Sequence, residues 1–168
     1  MFGTKEAIEA ARTLMHLRAD YSNPPNSERG LDPLLYAYLK AAHPRVRVTR
    51  QMNIHFSGSS RPSRIDFRLG GSNPSVVELA VRPWNGAQQL QGPQNLSELR
   101  KLSKVPITQA KRRILLLVDL KKGALSKDFL KATYDPLHAG QGKKVRHTVT
   151  VVYVHQSSSF WFTWRPYK

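Results

Sequence analysis

Two carboxylates stand where strand-forming sequence disfavours them. Asp66 lies within Arg64-Ile-Asp-Phe-Arg-Leu69 and Glu78 within Val76-Val-Glu-Leu-Ala-Val-Arg82, separated by a Gly-Gly-Ser-Asn-Pro turn. Both arms alternate with period two, the pattern of half-buried strands. Ile65, Phe67 and Leu69 share one face, with Arg64, Asp66 and Arg68 on the other; Val77, Leu79 and Val81 likewise oppose Glu78, Ala80 and Arg82. A turn between such strands can bring the two acids together. Strand interiors disfavour Asp and, less strongly, Glu, so the placement asks for a cause. One cause is a divalent cation, because hard ions such as Mg²⁺ take oxygen ligands. The other is ion pairing on a solvated face, Asp66 with Arg64 or Arg68 and Glu78 with Arg82. The residues alone leave both open.

The flanking elements follow from periodicity and caps. Residues 4–20 predict a helix with Thr4 as N-cap and Ala7, Ile8, Ala11, Leu14 and Met15 at helical spacing. A breaker-rich loop with Pro24-Pro25 follows. A second helix is predicted over 33–42, capped by Asp32 with Pro33 at its first position. Residues 46–56 predict a strand, bulged near Arg50-Gln51. After the central pair of strands come a Gln-rich segment and a helix at 95–104, carrying Leu96, Leu99 and Leu102 inward. Arg113-Ile-Leu-Leu-Leu-Val-Asp119 is a run of five hydrophobes bounded by charge, which predicts a strand covered on both faces in a parallel or mixed sheet. Ser126 caps a helix to Tyr134, residues 140–147 form a basic loop, and strands at 148–155 and 160–164 end the chain. The order α, α, β, β, β, α, β, α, β, β predicts an α/β protein with a mixed central sheet flanked by helices.

Composition narrows the classes of function. Lys and Arg number 27 against 11 acids, a formal net charge of +16 spread along all 168 residues. A surface so charged attracts polyanions, most simply nucleic acid. Cysteine is absent, which excludes disulfides and thiolate-bound zinc, and the six histidines show no metal-ligand spacing. No apolar run approaches the roughly 18 residues of a membrane span. The N-terminal residues do not resemble a signal peptide, so the expected compartment is cytoplasmic. Trp84, Trp161 and Trp164 with Phe160 and Phe162 offer either stacking faces for unpaired bases or, for the last strand, core or homodimer contacts. Lys101, Lys104, Lys111, Arg112 and Arg113 are the densest basic cluster. Together with Arg64 and Arg68 they are the candidate nucleic-acid contacts.

With its acid on one strand, its acid on the next, and the following helix and buried strand, the chain resembles the PD-(D/E)XK, or restriction-endonuclease-like, superfamily. The similarity covers roughly residues 27–120, with residues 1–26 and 121–168 as additions within a single domain. The resemblance implies an α-β-β-β-α-β core and a metal-dependent endonuclease or exonuclease that hydrolyses DNA with Mg²⁺ or Mn²⁺. It places Asp66 and Glu78 as metal ligands and catalytic acids, and Glu28 as a third ligand. The family's lysine falls on Ala80, a clear departure. Its role passes to Arg82 on the same strand face, or to Lys101 or Lys104 on the following helix; otherwise the fold survives as a non-catalytic nucleic-acid-binding or assembly subunit.

Overall fold

A computed structural model describes residues 2–56, 61–85, 90, 93–134 and 146–166. Its elements are α1 (Thr4–Ala19), α2 (Glu28–Ala42), β1 (Val48–Ile54), β2 (Ser63–Leu69), β3 (Ser75–Arg82), α3 (Pro93–Lys104), β4 (Arg112–Asp119), α4 (Lys127–Tyr134), β5 (Val149–His155) and β6 (Ser159–Trp164). The six strands form one sheet in chain order. The β1–β2, β2–β3 and β5–β6 pairs are antiparallel, while β3–β4 and β4–β5 are parallel across the α3 and α4 crossovers. The mixed α/β architecture expected from the sequence is the one observed.

Each sheet face carries its own apolar layer. On one, Ala7, Ala10, Ala11 and Leu14 of α1 and Leu31, Leu35 and Leu39 of α2 cover Val77, Leu79, Val81, Leu116 and Val152. On the other, Leu99 and Leu102 of α3 and Leu130 and Tyr134 of α4 cover Val76, Ala80, Leu115, Leu117 and Tyr153. All eight residues of β3 are buried, as is β4 beyond its first residue. Such strands need helices on both faces, which accounts for the unbroken apolar run in β4. The last strand turns Phe160, Phe162 and Trp164 onto this second layer, where Phe160 stacks on Tyr153 at 4.6 Å between ring centroids. Trp161 stays half exposed.

The start of α2 differs from expectation. Ser27, not Asp32, is the N-cap, its side chain accepting from the Gly30 N–H at 3.2 Å, and Pro33 lies inside the helix. The cap and the burial of Leu31 outweigh the one hydrogen bond that Pro33 withholds. Glu28 thereby becomes the first residue of the helix. In α1, Gly3 and not Thr4 takes the cap position, and its N–H donates to Glu6. Most of the predicted basic loop at 140–147, and Gln88, Gln89 and Gln91, lie outside the described residues.

Candidate metal and phosphate site

β2 and β3 pair through Leu69–Ser75, Arg68–Val76 and Phe67–Val77, and no further. Asp66 and Glu78 are the next residue on each strand, so they sit where the strands part. On its other side Asp66 faces Gln51, which the β1–β2 ladder also skips and whose φ is +56°. A non-glycine residue in that left-handed region is uncommon. The Asp66 carboxylate fills the gap, its Oδ2 accepting the Leu79 N–H at 2.9 Å in place of a ladder bond. Asp66 and Glu78 hydrogen-bond through their carboxyl groups.

Three further charged groups reach the same place. Lys101, on the buried side of α3, holds its Nζ 2.8 Å from Glu78 Oε1 and also pairs with Glu98, one turn earlier. Glu28, at the N-terminus of α2, interacts electrostatically with Asp66, Glu98 and Lys101. Glu78 and Glu98 therefore share one ammonium, whose charge Asp66 and Glu28 also feel. Burial, then Asp66, pushes Glu78 up to about 10 against the opposing pull of Lys101. Burial, then Asp66 and Glu98, takes Glu28 up to about 7. Burial also raises Asp66, although the Leu79 N–H and the bond from Glu78 pull it back. For Lys101 burial works against the charged form, but Glu78 and Glu98 together hold its value above the ordinary one. Enclosure of Glu78, only 2% exposed, decides for the protonated carboxyl, leaving Glu98 as the lasting counter-charge of Lys101.

Among the described residues, no three acidic or histidine side chains stand ready-made as a metal cage. The acids nevertheless fit a Mg²⁺-type ion, which is held by one or two carboxylates and otherwise keeps water or takes substrate phosphate. Glu78 Oε1 is buried and meets the Lys101 ammonium without a hydrogen bond of ordinary geometry.

The other residues singled out from the sequence fall elsewhere. Arg82 donates from Nε to Asp119 Oδ1 and from Nη2 to the Gly123 carbonyl, both at 2.7 Å, in a buried network closed by the Tyr153 hydroxyl on Asp119 Oδ2 at 2.5 Å. The pairings offered for a solvated face, Glu78 with Arg82 and Asp66 with Arg64 or Arg68, are not the ones formed: Lys101 partners Glu78, and Arg64 donates to Gln51. Arg68 is half-buried, and Lys104 and Lys111 are exposed. Arg112 donates to the Phe2 carbonyl and the buried Arg113 to the Val105 carbonyl, just past the end of α3. Glu98 was not singled out from the sequence. Its spacing three residues before Lys101 on one helix face is the signal that points to it.

No family model matches the chain. No curated protein matches it either. Among solved structures it is similar to Pyrococcus furiosus SfsA in complex with Ca²⁺, at 13% identity and a TM-score of 0.33. The match covers 81% of this chain and spans 62% of the length of that one. A likeness at that level carries no argument about function.

Proposed function

We propose that the chain is a metal-dependent nuclease acting on DNA, with Asp66 and Glu78 as its cation ligands and Lys101 in place of the missing strand lysine. The observation that carries this reading is the meeting of Asp66 and Glu78 where β2 and β3 part, with Lys101 bridging Glu78 and Glu98. A stable protein gains nothing from enclosing unneutralised acids. Burial favours the protonated forms of Glu78 and, less strongly, Glu28, and a divalent cation would take the place of those protons.

Asp66, Glu78 and the adjacent Glu28 would hold Mg²⁺ or Mn²⁺. Once bound, the ion would polarise the scissile phosphate and lower the pKa of a water. Asp66 is pre-oriented by the Leu79 N–H, so its carboxylate needs little rearrangement. Glu78, once deprotonated, would be a ligand to the ion, and Lys101, paired with Glu98, would set its ammonium against charge developing on the phosphate. Arg82, committed to Asp119, shapes the end of the parallel strands and does not take the lysine's part. Arg64, Arg68, Lys104 and Lys111 hold the sugar-phosphate backbone without reading sequence.

The test is cleavage of single- and double-stranded DNA with Mg²⁺ or Mn²⁺, with and without chelator. Wild type should cut and Asp66→Asn should not. Tight binding with no cleavage by wild type would identify a nucleic-acid-binding subunit instead.

A further inference from the structure

The parallel strands β3, β4 and β5 end at Arg82, Asp119 and His155, and two adjoining hollows open beyond them. The larger, about 560 Å³, lies between the ends of β4 and β5 and the second half of α1. The smaller, about 340 Å³, is lined by Asn23, Asn26, Trp84 and Asn85, and Arg18 lines both. We propose that they hold an unpaired nucleic-acid strand, a backbone phosphate in the larger hollow and a base stacked on Trp84 in the smaller.

Charge assigns the phosphate. Arg12, Arg18 and Lys121 line the larger hollow, and among the described residues none forms an ion pair with a carboxylate. Arg12 donates to the Ser159 hydroxyl at 3.1 Å and Arg18 to the Pro25 carbonyl at 2.8 Å. These neutral partners orient the guanidiniums without cancelling their charge. The one acid in the wall, Asp119, is already engaged by Arg82, the Lys121 N–H and Tyr153. Cations in the last turn of a helix are ordinarily explained by its dipole, which accounts for His16 and Arg18. It does not account for Arg12, in mid-helix, or for Lys121, beyond β4.

Trp84 assigns the base. It is 58% exposed, yet its backbone is fixed: its N–H donates to Asn26 Oδ1 at 2.8 Å, and Asn26 also bonds Asn85. A large aromatic face held in the open accepts a base that is not already stacked and paired in a duplex. Asn26, in the wall of the smaller hollow, stands two residues before Glu28 in the chain. A free nucleotide would occupy one hollow; the shared Arg18 wall and the +16 charge favour a strand that spans both. The direction of this strand toward a cleavage centre rests on the nuclease reading, but its binding does not.

The experiment is fluorescence anisotropy of a labelled 12-nucleotide DNA and its duplex, in chelator so that no cleavage intervenes. Arg12→Gln/Lys121→Gln is compared with Lys127→Gln/Lys131→Gln, an equal charge loss on the exposed side of α4. The first pair should weaken single-strand binding roughly tenfold more than the second and lower the salt slope by about one. Trp84→Ala should cost roughly tenfold on the single strand and little on the duplex. Lys121→Gln alone, at a partly exposed position, should show a smaller loss of the same kind and serves if the double variant does not fold. Equal losses in both pairs, equal loss on duplex for Trp84→Ala, or displacement by micromolar dAMP or inorganic phosphate would each overturn the proposal. Asp66→Asn should bind at least as tightly as wild type. Binding as described without cleavage under Mg²⁺ would therefore sink the nuclease reading and leave the strand site standing.

Discussion

Replacing Glu78 by Gln should stabilise the metal-free protein at neutral pH and bring no such gain in acid. Gln keeps the shape of the side chain and can still accept from Lys101 and donate to Asp66, but it cannot ionise. In the unfolded chain Glu78 titrates at its ordinary value of 4.5, whereas in the folded protein burial and then Asp66 push it up to about 10. The folded state thus binds this proton more tightly. Its contribution to stability is fully present below the unfolded value and is lost as pH rises from there toward the folded one. At pH 7 the loss is about 3 kcal/mol, at 1.36 kcal/mol per pH unit. Weakening the contact with Lys101, 2.8 Å away, offsets part of the gain. The variant should therefore be more stable by about 1–3 kcal/mol at pH 7, and at pH 4, where only the weakened contact remains, unchanged or less stable by up to about 2 kcal/mol. Urea unfolding of both proteins at the two pH values, in chelator and with unchanged m-values, measures the difference. A variant less stable than wild type at pH 7 would mean that Glu78 is an ionised partner of Lys101, and the argument for retained protons would fail.

Other outcomes follow from particular contacts. Arg82→Ala should destabilise by about 3–5 kcal/mol in thermal or urea unfolding, because it strands the buried carboxylate of Asp119. Activity per folded molecule should survive; specific loss of turnover would put Arg82 back among the catalytic groups. Ser27→Ala should cost about 1 kcal/mol through the lost cap. It should also reduce cleavage, since that turn carries Glu28. Ala80→Lys, in a position 1% exposed beneath Leu99 and Leu102, should lower the unfolding midpoint and not raise activity. Its failure to rescue Lys101→Ala would agree with the ammonium belonging on α3.

The sheet was legible because its signals are local. Five apolar residues in a row marked β4 as covered on both faces, and period-two alternation placed Asp66 and Glu78 at corresponding points of neighbouring strands. What escaped was set by packing across distance. Pro33 looks like a helix start to any local rule, yet the Ser27 cap and the buried Leu31 carry the helix a turn further back, and with it Glu28. That β2 and β3 part after Phe67 and Val77 is invisible in either strand, because both continue to alternate. Arg82 looked available beside Ala80, but the parallel register aligns it with Asp119, 37 residues on. Arg113 sits in a basic run that suggests surface, whereas its guanidinium is folded under the end of α3. Lys101 stood among the alternatives for the displaced lysine; only packing of α3 on β3 distinguishes it from the exposed Lys104.

Calorimetric titration of Mn²⁺ into the metal-free protein, repeated at pH 7 in two buffers of different ionisation enthalpy, tests the carboxyl cluster most directly. Retained protons on Glu78 and Glu28 must leave when a cation arrives. Wild type should bind Mn²⁺ with release of about one proton or more, Glu78→Gln should bind weakly with fewer released, and Asp66→Asn should show no site. Binding by Asp66→Asn equal to wild type, or no heat from wild type at millimolar Mn²⁺, would contradict the assignment of this cluster as the cation site.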